Sequence, residues 1–136
     1  AGEGQDEGER DVQPPDALIQ MNPGKISIVD LEVFYRVGVP DAERAQPQRL
    51  LLTVQMESDF TAAAASDGIA DTIDYFAVTQ RLLKVGEGQE GKPREKLAAD
   101  IAEMVLAEFK PQNVFVEVKK FIIPQARYVS VSLQRR

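Results

Sequence analysis

The chain contains no cysteine and no histidine. It therefore has no disulfide, no thiol nucleophile, no zinc site built on those ligands and no catalytic triad with an imidazole base. Acid–base chemistry near neutral pH falls to lysine, tyrosine, aspartate or glutamate with shifted pKa values, or to water. The lack of cysteine also fits a reducing compartment, and we expect a cytoplasmic protein.

The sequence also lacks long apolar runs, and after residue 16 it lacks a strong net charge. No run approaches the roughly 18 residues of a membrane span, and the start lacks the pattern of a signal peptide. The formal charge is −6, but residues 1–16 hold six acids and one arginine, a net −5, which leaves −1 for the rest. Residues 17–136 therefore produce no strong electrostatic field that would attract nucleic acid or an acidic membrane, and we expect neither partner.

The length of 136 residues fits one domain with a real core, preceded by a polar segment. Residues 1–22 combine glycine, proline, glutamine and acids, a composition that cannot repay the entropy of ordering. We predict a disordered acidic tail over residues 1–22 and a folded domain over residues 23–136.

Four stretches alternate between apolar and polar residues, which is typical of half-buried strands. Their inward positions are Leu31, Val33, Tyr35 and Val37; Leu50, Leu52, Val54, Met56 and Phe60; Val114, Val116 and Val118; and Val129, Val131 and Leu133. The same alternation turns Lys119 and Lys120 to opposite faces. We expect Lys120 on the solvated surface.

Two helical stretches separate the strand pairs. Asp74 is placed as the N-cap of the first helix, with Tyr75 in its first turn, where a phenol can project past the helix end. Pro93 suits the first position of the second helix, which puts Glu95 third. The apolar spacing predicts one buried face on each helix: Ile73, Phe76, Ala77 and Leu83 on the first, and Leu97, Ile101, Val105 and Phe109 on the second.

The predicted order, strand, strand, helix, helix, strand, strand, indicates an α+β fold. Its most direct arrangement is a four-stranded antiparallel sheet with both helices on one face. The exposed edges of such a sheet need protection, and edge-to-edge assembly into a closed oligomer would supply it.

Several short motifs occur in order between about Ile26 and the C-terminus. They are GVPDAER at 38–44, PQRL at 47–50, AAAASD at 62–67, ADTIDY at 70–75, EKLA at 95–98, and Lys119 followed five residues later by Pro124. Together they resemble the dihydroneopterin aldolase family. The resemblance implies the tunnelling fold, in which subunits join their sheets into a β-barrel ring. It also implies a homo-oligomer, a tetramer or octamer, with sites at subunit interfaces.

The activity implied by the resemblance is a retro-aldol cleavage of 7,8-dihydroneopterin. The products are 6-hydroxymethyl-7,8-dihydropterin and glycolaldehyde, in folate biosynthesis, without a metal, a cofactor or a Schiff base. The reduced pterin ring serves as the electron sink, so the protein has only to bind, orient and move protons. This chemistry suits a chain without histidine and cysteine.

The resemblance assigns catalytic roles to Lys119, Tyr75 and Glu43. Lys119 matches the presumed general base, and we expect burial or a nearby cation to lower its pKa, because an ordinary lysine is a poor base at neutral pH. Tyr75 matches a tyrosine that reaches the site from a neighbouring subunit. Glu43 matches an acid beside the trihydroxypropyl side chain, although an exposed loop acid is an equal interpretation.

Substrate binding is assigned to Glu95, Thr72, Ile73 and Arg94. Glu95 matches the carboxylate that accepts from the 2-amino group and a ring N–H of the pterin, a pairing of two charge-assisted bonds. Thr72 and Ile73 match backbone and wall contacts around the ring. Arg94 replaces the apolar residue that is usual before this glutamate, and it would add a cation near a phosphorylated substrate.

Three functions remain open on these residues. The first is the aldolase, with epimerase activity through the shared retro-aldol intermediate. The second is a dihydroneopterin triphosphate epimerase, for which Arg94, Lys96 or Arg127 would supply cations. The third is a non-catalytic pterin-binding paralogue, against which the joint presence of Glu95, Tyr75 and Lys119 argues.

Overall fold

The computed structural model describes residues 24–36, 46–59, 73–88 and 94–136. The strands are β1 (Gly24–Tyr35), β2 (Gln48–Ser58), β3 (Asn113–Lys120) and β4 (Val129–Arg135). The helices are α1 (Tyr75–Val85), which runs into a 3-10 turn at Gly86–Gly88, and α2 (Arg94–Phe109). The predicted acidic tail and the predicted helix start at Pro93 lie outside the described residues.

The four strands form one antiparallel sheet in the order β1-β2-β3-β4. One face of the sheet packs against both helices and the other is open. The predicted architecture is confirmed, and so is the alternation of the described residues in all four strands. The predicted inward positions Val37 and Phe60 lie outside the described residues. Buried apolar residues join the sheet and the helices in a single core: Val33, Tyr35, Leu50, Leu52, Val54, Met56, Ile73, Val78, Leu82, Leu97, Ala98, Ile101, Ala102, Val105, Val114, Val116 and Val118.

The two helices differ in how well their apolar spacing predicts the buried face. On α2, Leu97, Ile101 and Val105 are fully buried, as predicted. On α1 the predicted face is wrong, because Val78 and Leu82 are buried whereas Phe76 is 67% exposed. The helix begins as predicted, because the Asp74 carboxylate accepts from the backbone N–H groups of Phe76 and Ala77 at 3.1 Å. Its buried side is the apolar i, i+4 pair Val78 and Leu82.

The position of Lys120 also departs from the sequence-based expectation. We expected a solvated surface lysine, and this prediction is wrong, because Lys120 is 3% exposed. Strand alternation sends it to the face of β3 that carries Val118 and packs under the helices. Its long aliphatic stem is compatible with such a place.

A β-bulge interrupts the pairing of β1 with β2. Ile28 is paired with Val54 and Leu31 with Leu52, so β1 has one more residue than β2 between these two pairs. Asp30 lies in this bulge with a φ of 55°, in the left-handed region that glycine, asparagine and aspartate tolerate best. The bulge lets Ile28 and Leu31 both pack against the core.

Tyr35 and Gly86 make a close contact beneath the C-terminus of α1. The Tyr35 hydroxyl donates to the Leu82 carbonyl, and burial of this phenol raises the pKa of Tyr35. A Cβ atom on Gly86 would lie 2.1 Å from Cδ1 of the Tyr35 ring. No side chain larger than hydrogen fits there unless the ring moves.

Gly86→Ala is therefore expected to destabilise the fold by about 1–3 kcal/mol, the usual cost of overpacking a filled site. Urea unfolding followed by circular dichroism measures it. Glu87→Ala, at the exposed neighbouring position, is the matched control and should stay within about 0.5 kcal/mol of the parent. Equal midpoints for the two variants would contradict the close packing.

Candidate active site

Lys119 lies near the end of β3, on the open face of the sheet. It is paired with Leu51 of β2 on one side and with Ser130 of β4 on the other. Although it is on the open face, its side chain is only 17% exposed. Neighbouring side chains therefore cover most of it, and two of them contact the ammonium group.

The first contact is an ion pair with Asp30. The Nζ atom of Lys119 donates to Oδ1 of Asp30 at 2.9 Å, across the intervening strand β2. Thr53 of β2 holds Asp30 from below: the Asp30 backbone N–H donates to the Thr53 hydroxyl at 3.1 Å, and that hydroxyl donates to Oδ1 of Asp30 at 3.4 Å. The carboxylate is thus fixed by β2 and directed at a residue of β3.

The second contact is with an aromatic ring. The Lys119 ammonium lies 4.7 Å from the centroid of the Tyr128 ring, within the range of a cation–π interaction. Tyr128 in turn meets Phe121 edge to face, with 6.5 Å between centroids, and Arg49 lies 4.8 Å from the Phe121 centroid. A row of two rings and two cations therefore borders the open face at this end of the sheet.

These neighbours keep Lys119 charged. The hydrogen bond to Asp30 is the main reason why the pKa of Lys119 is raised above its ordinary value; burial opposes it, and the charge of Asp30 adds to the increase. The predicted lowering of this pKa is wrong for the contacts that the described residues make. Because the folded-state pKa is the higher one, the ion pair stabilises the fold below the ordinary lysine pKa, and this contribution is lost as the pH rises through the folded-state value.

The start of α1 places two predicted site residues. Ile73 is buried in the core, directly before the capping Asp74. Tyr75 is the first residue of the helix and is 62% exposed, so its phenol is available to a ligand or to another chain. The predicted projection of Tyr75 away from the core is confirmed.

For the other predicted site residues the structure describes only the backbone or nothing. Arg94 and Glu95 lie in the first turn of α2, where the backbone of the helix favours a carboxylate, but their side chains are outside the described residues. Thr72 and Glu43 lie outside the described residues altogether.

The structure separates Lys119 from Tyr75 within one chain. Lys119 is on the open face of the sheet, whereas Tyr75 begins a helix that packs on the opposite face. The side-chain contacts of Lys119 in the described part of the chain are with Asp30 and Tyr128. A site that uses both Lys119 and Tyr75 therefore needs a second copy of the chain.

Sequence reasoning missed Asp30, Thr53 and Tyr128. A signal for Asp30 was present: the inward apolar residues are at even positions in Ile26 and Ile28, and at odd positions from Leu31 onward. Such a change of parity within one strand indicates a bulge, and a bulge often redirects a side chain. Nothing comparable marks Thr53 or Tyr128, whose contacts with Asp30 and Lys119 come from residues distant in sequence.

Neither helix in the described part of the chain has the length and the apolar composition needed to cross a membrane. The sheet and the order of strands and helices are those of an enzyme family. Residues 26–134 match the family model described as dihydroneopterin aldolase.

Individual proteins agree with the family match. Dihydroneopterin aldolase of Escherichia coli K12 is 30% identical over 111 residues, which cover 81% of this chain and 91% of that protein. The FolB crystal structure from Vibrio cholerae superposes with a TM-score of 0.79 at 33% identity, covering 84% of this chain and 98% of that one. The E. coli aldolase in complex with neopterin gives a TM-score of 0.73 at 29% identity, covering 83% and 99%. From the sequence, the fold and these likenesses, the chain belongs to the dihydroneopterin aldolase family.

Proposed function

We propose that the chain is a dihydroneopterin aldolase of folate biosynthesis, which cleaves 7,8-dihydroneopterin without a metal or cofactor. The observation that carries the proposal is the Lys119 ammonium, held by Asp30 at 2.9 Å and by the Tyr128 ring at 4.7 Å. A positioned lysine is the acid–base group that a family member without histidine or cysteine can offer. The neopterin complex of the similar E. coli enzyme supports the substrate class.

The reaction needs protons moved at three places on the substrate. As the C1′–C2′ bond breaks, its electrons form the C6–C1′ double bond, and the C6–N5 electrons move to N5, which takes a proton from the Lys119 ammonium. The proton of the C2′ hydroxyl leaves to water or to Glu43, and C2′ and C3′ depart as glycolaldehyde. Tyr75 then gives a proton to C1′ and regains one from Glu43 or water, and N5 returns its proton to Lys119.

The pterin ring is bound, in this proposal, by the first turn of α2 and the segment before α1. The Glu95 carboxylate accepts two hydrogen bonds from the pyrimidinone edge, a charge-assisted pairing that selects this edge. Thr72 and Ile73 supply the surroundings of the ring, and Arg94 supplies a nearby cation. The location of Glu95 in the first helical turn supports the assignment, because the helix N-terminus favours a carboxylate there.

The active form is a cytoplasmic homo-oligomer, a tetramer or octamer, with sites shared between neighbouring subunits. Two features support this part of the proposal. β1 and β4 are the outer strands of the described sheet, so each has an edge that a second chain can pair with. Because Lys119 and Tyr75 lie on opposite sides of that sheet, a site that contains both needs one of them from a second subunit.

Incubation of the purified protein with 7,8-dihydroneopterin in EDTA tests the activity. We expect glycolaldehyde and 6-hydroxymethyl-7,8-dihydropterin in equal amounts, at a rate unaffected by the chelator, because lysine and tyrosine carry the proton transfers. Chromatography of the pterins and an aldehyde assay follow the two products. An epimer without glycolaldehyde would identify an epimerase instead, and no turnover of either neopterin or its triphosphate would indicate a binding protein.

A further inference from the structure

A polar cavity of about 210 Å³ lies on the open face of the sheet, at the end where β1 begins. Asn113, which lines it, is six positions before Lys119 on β3, about 20 Å away at the rise of a strand. Both helices pack on the other face, so the cavity is also remote from the starts of α1 and α2. Its lining comes from all four strands: Lys25, Gln55, Glu57, Asn113, Phe115 and Gln134.

Three of these side chains form one row across neighbouring strands. Glu57 of β2 is paired with Lys25 of β1 on one side and with Asn113 of β3 on the other. The Asn113 amide nitrogen donates to Oε1 of Glu57 at 3.1 Å, whereas the Lys25 ammonium lies 3.8 Å from Oε2. The second distance is longer than a hydrogen bond, so the N–H groups of Lys25 are available to another acceptor.

The amide oxygen of Asn113 has no hydrogen-bond donor in the described part of the chain. Asn113 is only 9% exposed, and the oxygen itself is shielded from water. A carboxylate only accepts, so the amide nitrogen must be the atom beside Glu57 and the oxygen must be the atom without a partner. A buried acceptor without a donor is unfavourable, and a ligand N–H would satisfy it. The terminal torsion of asparagine is soft enough to turn the oxygen toward the cavity.

We propose that this cavity is a second ligand site, which binds a neutral 2-amino-4-oxopyrimidine ring. The row presents an acceptor, an acceptor and a donor in the order Asn113, Glu57, Lys25. An amino group, a ring N–H and a ring carbonyl, placed side by side, are its complement. The charge of Lys25 beside Glu57 disfavours a cationic ligand such as a guanidinium ion.

The remaining lining and the size of the cavity agree with this ligand. Phe115 supplies an apolar wall for a planar ring. The volume of about 210 Å³ is below the roughly 300 Å³ at which sites for drug-sized molecules begin, so it suits a single small ring system. Pterins and guanine both carry the required edge. The site lies apart from the proposed catalytic residues, so the inference does not depend on the aldolase function.

Isocytosine, the single-ring form of this edge, is the probe. Uracil is its matched control, because it has nearly the same shape but a carbonyl in place of the amino group. The chain contains two asparagines, Asn22 and Asn113, so isotope labelling of asparagine in the full-length oligomer gives two side-chain amide signals. We expect isocytosine at millimolar concentrations to move the Asn113 signal and not that of Asn22. Uracil should bind at least about tenfold more weakly, because its carbonyl opposes an acceptor.

Two substitutions test the row directly. Glu57→Gln removes the charge and Asn113→Ala removes the unpartnered oxygen, and each should weaken isocytosine binding about tenfold in calorimetry. Glu117→Gln is the matched control, since it removes a carboxylate on the same face of β3 but outside the cavity, and it should bind as the parent does. Circular dichroism checks the fold of each variant. The Asn113 signal of the parent gives a reading that needs no substitution.

Glu95→Gln separates this cavity from the proposed pterin site, which the same probe can enter. The response of Asn113 should persist in that variant, and neopterin and guanosine then distinguish a pterin from a guanine nucleoside as the ligand. An unmoved Asn113 signal, an equal response to uracil, loss of the response in Glu95→Gln, or undiminished binding in Glu57→Gln and Asn113→Ala would each overturn the inference. A response in a protein that releases no glycolaldehyde would uphold the second site and refute the aldolase.

Discussion

Lys119→Ala is expected to reduce kcat for aldol cleavage by about 10²- to 10⁴-fold, the contribution of a positioned acid–base group. Stopped assays of glycolaldehyde release measure the loss. Substrate affinity should change little, because the pterin ring is anchored by other residues in the proposed site. Binding of neopterin by calorimetry therefore provides the second readout.

Lys119→Arg distinguishes proton transfer from charge. Arginine preserves a cation that can pair with Asp30, but its pKa is too high for it to give up a proton, so we expect a loss close to that of the alanine variant. Lys84→Ala, at an exposed position of α1, is the control for removal of a lysine and should retain full activity. Near-normal kcat in Lys119→Arg would mean that the site uses the charge of the lysine and not its proton.

The second prediction with a large expected effect tests whether Tyr75 and Lys119 of one site come from two different subunits. Tyr75→Phe removes only the phenolic hydroxyl, and we expect kcat to fall by at least about 10²-fold. When Tyr75→Phe and Lys119→Ala chains are co-expressed with different tags and purified as mixed oligomers, activity should return. Random mixing in equal amounts gives an intact pair at about one quarter of the interfaces, so about a quarter of the parental kcat is expected.

The control for complementation is a mixture of Lys119→Ala chains with chains carrying both substitutions. No intact pair of Tyr75 and Lys119 can form in that mixture, and it should stay inactive. If the Tyr75→Phe and Lys119→Ala mixture also stays inactive, although mixed oligomers are recovered, the two residues act within one chain. Light scattering of the parent protein establishes that the oligomer exists before mixing.

Sequence alone was sufficient for the fold because local patterns agree with tertiary packing along most of the chain. Alternation in the strands and the four-residue spacing of Leu97, Ile101 and Val105 predicted the core, since burial follows directly from these periods. On α1 the pattern was ambiguous, because Phe76 and Leu83 are apolar but exposed. The apolar pair Val78 and Leu82, one turn apart, is the side of α1 that faces the core.

The candidate site was predictable in its lysine but not in the environment of that lysine. The resemblance pointed to Lys119, and the alternation of β3 gave its face. The pKa was predicted in the wrong direction because its main cause, Asp30, is 89 residues away in sequence. The burial of Lys120 was missed for a related reason: a charged residue at a strand end reveals its surroundings only when the packing above it is known.

The bulge in β1 also ties the chemistry of the site to the length of the strand. Two residues stand between Ile28 and Leu31, one more than a regular strand needs to place both on the core face, and Asp30 is one of these two. Loss of a single residue there would restore regular pairing with β2 and erase the bulge, so the core face of β1 would be kept but no carboxylate would be directed across β2. The extra residue therefore serves the direction of the Asp30 carboxylate rather than the packing of the strand, and its φ of 55° restricts position 30 to residues that tolerate this conformation.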